Sequence, residues 1–371
     1  MGVRPAPGWT SALTKSTKTP LMSSNYQLGC SSRFDSPPLL IRARYLRLIQ
    51  LDREQQEVLN LGWSGSSVRS QLQYPQAVHF ADDLIGRVRD LGHPLCVGLD
   101  PHLDLIPESF QKGTMRPDDP ATPEVVQAFC LEVIDRLEKR VAVVKPQIAL
   151  FEQLGWRGIQ VLEVLLDRCR ANDLLVILDA KRGDIGSTAE GYARAYLEPG
   201  AGLGADAITV NPYMGRDTLV PFIDRCSAHG RGIFVLVKTS NPGSGDLQDR
   251  SLEIATVFEA VADMLADDCR RLVGPDTGWS SLGVVVGANF DEQAERVRQL
   301  LPEALFLVPG FGAQGADAEQ AVRAFRAGSG GREGGIVNSS RAILFPESEA
   351  WETGFEAALA EAIDRLGEAV R

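Results

Sequence analysis

The chain has 371 residues, 44% apolar and 23% charged, the balance of a globular protein with a core of useful size. Forty-nine acidic against 38 basic residues leave a net charge of −11. That argues against nucleic-acid and anionic-membrane partners, which need a broad positive field, but leaves room for a small anion held by a few local cations. Six scattered cysteines (Cys30, Cys96, Cys130, Cys169, Cys226, Cys269) form no CxxC pair. A disulfide framework or zinc knuckle is therefore disfavoured, and a reducing, cytoplasmic setting fits better. No apolar run approaches the roughly 20 residues of a membrane span.

Residues 1–50 contain seven basic residues and a single acid, Asp35, among many Ser, Thr and Pro. No apolar segment there has the length of a secretory signal, and the Met-Gly start lacks the hydroxyl residue that myristoylation expects at position 6. Residues 1–78 read as a disordered basic, Ser-rich extension, with an organelle transit peptide as the alternative. Compact order is expected from near Phe80, in one domain over 79–371.

From there apolar, β-branched runs alternate with helical patterns. The runs are Leu95–Gly98, Ala142–Val144, Leu174–Leu178, Ala207–Val210, Ile233–Val237, Leu282–Val286, Leu305–Val308 and Gly335–Val337. Their continuous apolarity predicts strands buried on both faces. Between the first two, Thr122-Pro123-Glu124 is a helix start, followed by one apolar face through Val125, Phe129, Val133 and Leu137. Ile159 to Cys169 repeats the pattern, and Asp291–Leu301 and Asp317–Ala327 predict later helices. Gly274–Ser280 and Gly328–Gly334 read as surface loops. Eight such units predict a (β/α)₈ TIM barrel, with a doubly wound open sheet as the alternative; no GxGxxG follows the first strand.

In such a barrel chemistry sits at the C-terminal ends of the strands. The polar residues there, in chain order, are Asp100; Lys145 and Gln147; Asp179, Lys181, Asp184, Ser187 and Thr188; Asn211; Lys238, Thr239, Ser240 and Asn241; Gln314; and Ser339, Ser340 and Arg341. Strand alternation aims Asp179 and Lys181 the same way, toward Lys145 on the neighbouring strand. With Asp184 they make a row of alternating charge that keeps an ammonium ready as a proton donor. A plain rim ion-pair network uses the same residues and is the alternative.

Gly310, Gly312 and Gly315 after the seventh strand let backbone N–H groups approach an anion, and Arg341 after the eighth offers a forked contact, which reads as a phosphate cradle. Asp100, His102 and Asp104 match no standard metal spacing.

The run LDAKRGDIGST resembles the DxKxxDI signature of the orotidine 5′-phosphate decarboxylase family. VKPQ, KTSNPGS, VPGFGAQG and NSSRAI resemble its longer, bacterial-type branch. The resemblance covers about Phe80 to Leu366. Residues 1–78 have no counterpart in it and are too short for the phosphoribosyltransferase domain to which some members are fused. It implies loss of CO₂ from orotidine 5′-monophosphate to give UMP, the last step of de novo pyrimidine nucleotide synthesis, with neither cofactor nor metal. It implies catalytic roles for Lys145, Asp179, Lys181 and Asp184, the last supplied across a homodimer. It further implies ribose contacts from Asp100 and Thr188, a pyrimidine contact from Ser240, and phosphate contacts from Gln314 and Arg341. Pro309 and Gly310 would open a closing loop, and Ser340 stands where the family often has Gly. The DxKxxD element is also shared with Mg²⁺-dependent barrels acting on keto-sugar phosphates. A nucleotide-binding protein without activity is the remaining alternative.

Overall fold

A computed structural model describes residues 78–312 and 317–371. Of the extension read over 1–78, residues 1–77, Cys30 among them, lie outside the described residues, as do the loop residues Gln314 and Gly315.

Eight parallel strands close into a barrel. In chain order the elements are α1 (Phe80–Leu91), β1 (Leu95–Leu99), α2 (Thr122–Leu137), β2 (Val143–Pro146), α3 (Ala149–Glu152), α4 (Trp156–Ala171) and β3 (Leu175–Arg182). They continue with α5 (Gly186–Leu197), β4 (Ala207–Val210), α6 (Val220–His229), β5 (Gly232–Lys238), α7 (Val257–Arg271), β6 (Ser280–Val286), α8 (Asp291–Leu300) and β7 (Ala304–Pro309). Last come α9 (Ala318–Val322), β8 (Arg326–Gly328), β9 (Gly331–Glu333), β10 (Gly335–Ser339), α10 (Arg341–Leu344) and α11 (Trp351–Val370). The barrel runs β1-β10-β7-β6-β5-β4-β3-β2, closing through β1 to β2, which rules out the open sheet.

Alternation along the strands splits the core in two. Inward residues such as Cys96, Val143, Ile177, Ala207, Phe234, Leu305 and Ile336 fill the barrel, while outward ones meet the helix layer. Helix α1 plugs the floor: Phe80 packs edge-on to Phe234, ring centroids 6.1 Å apart. Any Cβ at Gly232 would lie 2.3 Å from the Phe80 ring, so the plug requires glycine there.

Two local readings are corrected. The helix expected over Asp317–Ala327 stops at Val322, after a capping box between Asp317 and Gln320. Residues 326–333 instead form the antiparallel hairpin β8–β9. Glu333 anchors it, accepting two bonds from Arg89 at 2.8 and 2.7 Å and one from Trp279 Nε1 at 3.2 Å. The insertion at Gly274–Ser280 is not a free surface loop either. Asp82 accepts from the Thr277 backbone N–H and hydroxyl at 2.8 and 2.6 Å, and Trp279 is buried against the barrel floor.

Candidate active site

The C-terminal mouth of the barrel opens into a cavity of about 610 Å³. Asp100, Lys145, Asp179, Lys181, Ser240, Pro309, Gly310, Ser340 and Arg341 all line it.

Asp179 is the hub. Its Oδ2 accepts from Lys145 Nζ and Gln147 Nε2, each at 3.0 Å. Its Oδ1 accepts from Lys181 Nζ at 2.5 Å and Thr209 Oγ1 at 2.9 Å. Burial by itself pushes this carboxyl up, but the two ammonium groups outweigh burial and hold it well below the usual carboxylate range. Lys145 is the mirror case: burial pulls it down, Asp179 and then Asp100 push it up more, and it stays above the ordinary lysine value. Asp179 and Lys145 are thus fixed in their charged states. The lysines differ in access, Lys145 showing 6% of its side-chain surface and Lys181 46%. Lys181 is the one that can meet both a ligand and water.

Asp179 and Lys181 meet as alternation predicts, but not because the strand runs on regularly. The β3–β4 register breaks between Leu178 and Arg182, and Lys181 adopts φ +46°, in the left-handed region. The bulge, not the pleat, aims this ammonium.

The polar wall opposite is built by close approach. A Cβ at Gly98 on β1 would lie 1.9 Å from Ser340 Oγ, and one at Gly287 would lie 2.9 Å from Ser240. Asp100 Oδ1 is buried with no hydrogen-bond partner among the described residues, an acceptor open to a ligand donor. Gly310 has φ +107°, a left-handed turn that ends β7 at the cavity wall, where Phe311 follows it. Arg341, the first residue of α10, enters no ion pair formed among the described residues and reaches the cavity rim. Leu236, Val257, Phe258 and Val261 give the cavity an apolar side.

The chain matches the orotidine 5′-phosphate decarboxylase / HUMPS family over residues 93–352. It belongs to that family. The orotidine 5′-phosphate decarboxylase of Rhodopirellula baltica is 43% identical over 270 residues, 72% of this chain and 88% of that protein. That of Caldicellulosiruptor bescii is 37% identical over 289 residues, 75% of this chain and 93% of that protein. The solved OMP decarboxylase of Leishmania donovani is 32% identical, with a TM-score of 0.60 covering 79% of this chain and all of that one.

Five residues chosen from the sequence, by resemblance or as polar strand ends, do not reach this cavity: Asp184, Ser187, Thr188, Lys238 and Ser339, of which Ser187 is exposed and Ser339 buried. Asp184 and Thr188 flank the start of α5 outside it; Asp184 Oδ1 accepts only from the Ile185 backbone N–H, and Thr188 is exposed. In its own chain the row therefore has three charges, not four. Lys238 is wholly buried, its ammonium 2.8 Å from Asp249, 3.2 Å from Ser244 Oγ and 4.1 Å from the Phe290 ring centre. A register break in β5 between Leu236 and Lys238 turns it away from the mouth, under the following loop.

Sequence reasoning missed Thr209 and Asn338, which also line the cavity. The signal for Thr209 was available: it is the one polar side chain in the buried strand AITV.

Proposed function

We propose that the chain decarboxylates orotidine 5′-monophosphate to UMP, with Lys181 as proton donor. Family membership and curated relatives at 37–43% identity support the reaction. The observation that carries the mechanism is the Lys145–Asp179–Lys181 row inside one cavity.

The bond from C6 of the pyrimidine to its carboxylate breaks, CO₂ leaves, and the electron pair stays on C6. The Lys181 ammonium stabilises that charge and passes a proton to C6. Its half-exposed amine then recovers a proton from solvent. Because Asp179 and Lys145 are already ionised and bonded, no dipole needs to reorient as charge develops; this is preorganised electrostatic stabilisation, with no cofactor in any step. Asp179 orients both lysines and faces the departing carboxylate. Arg341 and the backbone after Pro309 and Gly310, with Gln314, hold the phosphate; Asp100 and Thr188 take ribose hydroxyls, and Ser240 takes the pyrimidine. Phosphate binding far from C6 supplies energy that orders the site.

The same reading makes the enzyme a homodimer. Asp184 and Thr188 stand outside their own cavity, and Ile185, Tyr213 and Met214 beside them are 61%, 79% and 44% exposed, an apolar surface fit for burial against a second copy. Each copy then completes its partner's row with Asp184. The described cysteines are all buried as free thiols, which accords with a cytoplasmic setting.

Ultraviolet monitoring of orotidine 5′-monophosphate loss tests the reading. Lys181→Ala is expected to lower turnover by at least ~10³-fold, about 4 kcal/mol of barrier, while UMP still binds. Turnover near that of the unmodified chain overturns Lys181 as donor. Activity lost on exhaustive chelation favours the Mg²⁺-dependent chemistry of related barrels instead.

A further inference from the structure

The bulge in β3 leaves backbone groups without ladder partners. Leu178 pairs with Ile208 and Arg182 with Val210, so Asp179, Ala180 and Lys181 all stand opposite Thr209 of β4. An interior strand cannot leave such N–H groups unbonded without cost. Here one side chain collects them. The N–H groups of Ala180 and Lys181 donate to Thr209 Oγ1 at 3.0 and 2.9 Å. That hydroxyl gives its own proton to Asp179 Oδ1 at 2.9 Å. Thr209 is 1% exposed, so water does not compete.

Lys181 meanwhile sits at φ +46°. A residue with a Cβ stays in the left-handed region only where its surroundings enforce it. The bond from Lys181 N to Thr209 Oγ1 ties that backbone directly.

The geometry points to Thr209 as a positioning residue for the decarboxylation: a single hydroxyl fixes the left-handed turn that aims the Lys181 ammonium and, at the same time, the Asp179 carboxylate that receives it. Thr209 acts through these two groups and performs no proton transfer. A valine of the same shape would strand two buried N–H groups and one carboxylate oxygen. The turn then relaxes toward an extended strand, and Lys181 Nζ leaves its place. The phosphate contacts and the ribose contact from Asp100 follow other strands and are untouched. The loss therefore falls on kcat rather than on nucleotide binding.

This inference rests on Lys181 and Asp179 being the reacting pair, so K181A is measured in parallel. Thr209→Val and Thr209→Cys are expected to lower kcat at least ~10²-fold, about 2.7 kcal/mol of barrier. KM and the thermal shift produced by UMP stay within about threefold of the unmodified chain. Thr209→Ser, which restores the oxygen, returns kcat to within about tenfold. Folding is read first by circular dichroism, and whichever of the valine and cysteine variants folds carries the comparison. A folded variant with kcat within about threefold of the unmodified chain, while K181A is inactive, overturns the role of Thr209 and leaves that of Lys181 standing. A serine variant as slow as the valine one also overturns it, because the methyl group and not the hydroxyl would then matter. An active K181A refutes the underlying reading instead.

Discussion

Replacing Asp179 by Asn tests the row of charges through stability as well as rate. In the native chain Lys145 has 6% of its side chain exposed and lies 3.0 Å from the carboxylate. Removing the charge of one partner strands the other in a medium that solvates it poorly, at a cost of roughly 3–5 kcal/mol. For a domain of this size, each kcal/mol lowers Tm by a few degrees, so Asp179→Asn should melt roughly 6–20 °C below the unmodified chain. The pH dependence is more specific. With Asp179 present, Lys145 is held above its ordinary pKa, so its contribution to stability is in place below that ordinary value. It fades only as pH climbs through the raised one. In Asp179→Asn, burial, the largest influence on this ammonium, acts with its main counter-charge gone and Asp100 the chief group left opposing, so the neutral amine gains favour in the folded state. Stability is then gained as pH rises and lost as it falls. The gap in Tm between the two proteins should narrow from about pH 7 to about pH 9.5. Adding Lys145→Met to Asp179→Asn should recover most of the loss, since an apolar side chain of similar volume needs no counter-charge. Thermal unfolding of the three proteins at both pH values decides the matter. A loss under about 1 kcal/mol at pH 7, with no recovery in the double variant, refutes a buried and mutually dependent pair.

Arg341→Ala should raise KM for orotidine 5′-monophosphate roughly 10- to 100-fold, the worth of a charge-assisted bond, with a smaller change in kcat; an unchanged KM removes Arg341 from the phosphate site. Lys238→Met should leave Tm nearly unchanged, because methionine fills the buried stem and Asp249, 42% exposed, can turn to water. It should raise KM about tenfold, because the loop carrying Ser240 loses its tether to Asp249 and Ser244. Steady-state kinetics beside a melting curve separates these effects. Burial pushes the thiols of Cys96, Cys169 and Cys269 up to about 12 and those of Cys130 and Cys226 higher still. A thiol reagent near neutral pH should therefore leave these five unmodified in the native chain and label them on unfolding, as read by peptide mass.

Much of the barrel is legible because parallel strands buried on both faces write themselves as apolar runs. Ala207–Val210 matches the sequence reading at both ends, and the other seven runs overlap their strands with shifts of one to four residues at an end. The site is legible for the same reason. When interior positions must be apolar, polar side chains collect where a strand leaves the barrel, and Asp100, Lys145, Asp179, Ser240 and Arg341 line one cavity. What alternation cannot reveal is where the chain turns out of the mouth. Asp184 and Thr188 sit in the same run as Lys181, yet the turn into α5 carries them outside the cavity that Lys181 enters.

The harder case is two lysines that look alike. Lys181 in LDAKR and Lys238 in LVKT each end an apolar strand, and both strands break register there. Periodicity gives the two residues one description, while the fold gives them opposite ones: one half-exposed at the mouth, the other wholly buried under a loop. The difference lies in what each bulge meets. Opposite the first stands Thr209, whose hydroxyl takes up the loosened N–H groups and holds a left-handed turn toward Asp179. Around the second, Asp249 and Ser244 of the loop after β5 offer oxygens, and Phe290 after β6 offers a ring face. The Lys181 ammonium is answered by Asp179 two residues upstream, but its backbone is held by Thr209, 28 residues downstream, while the Lys238 ammonium is answered by Asp249, 11 residues downstream. Pattern reading within a strand does not span that distance. What separates the two lysines is what neighbouring elements offer: Thr209 of β4 holds the backbone at Lys181, and Asp249 with Ser244 holds the ammonium of Lys238.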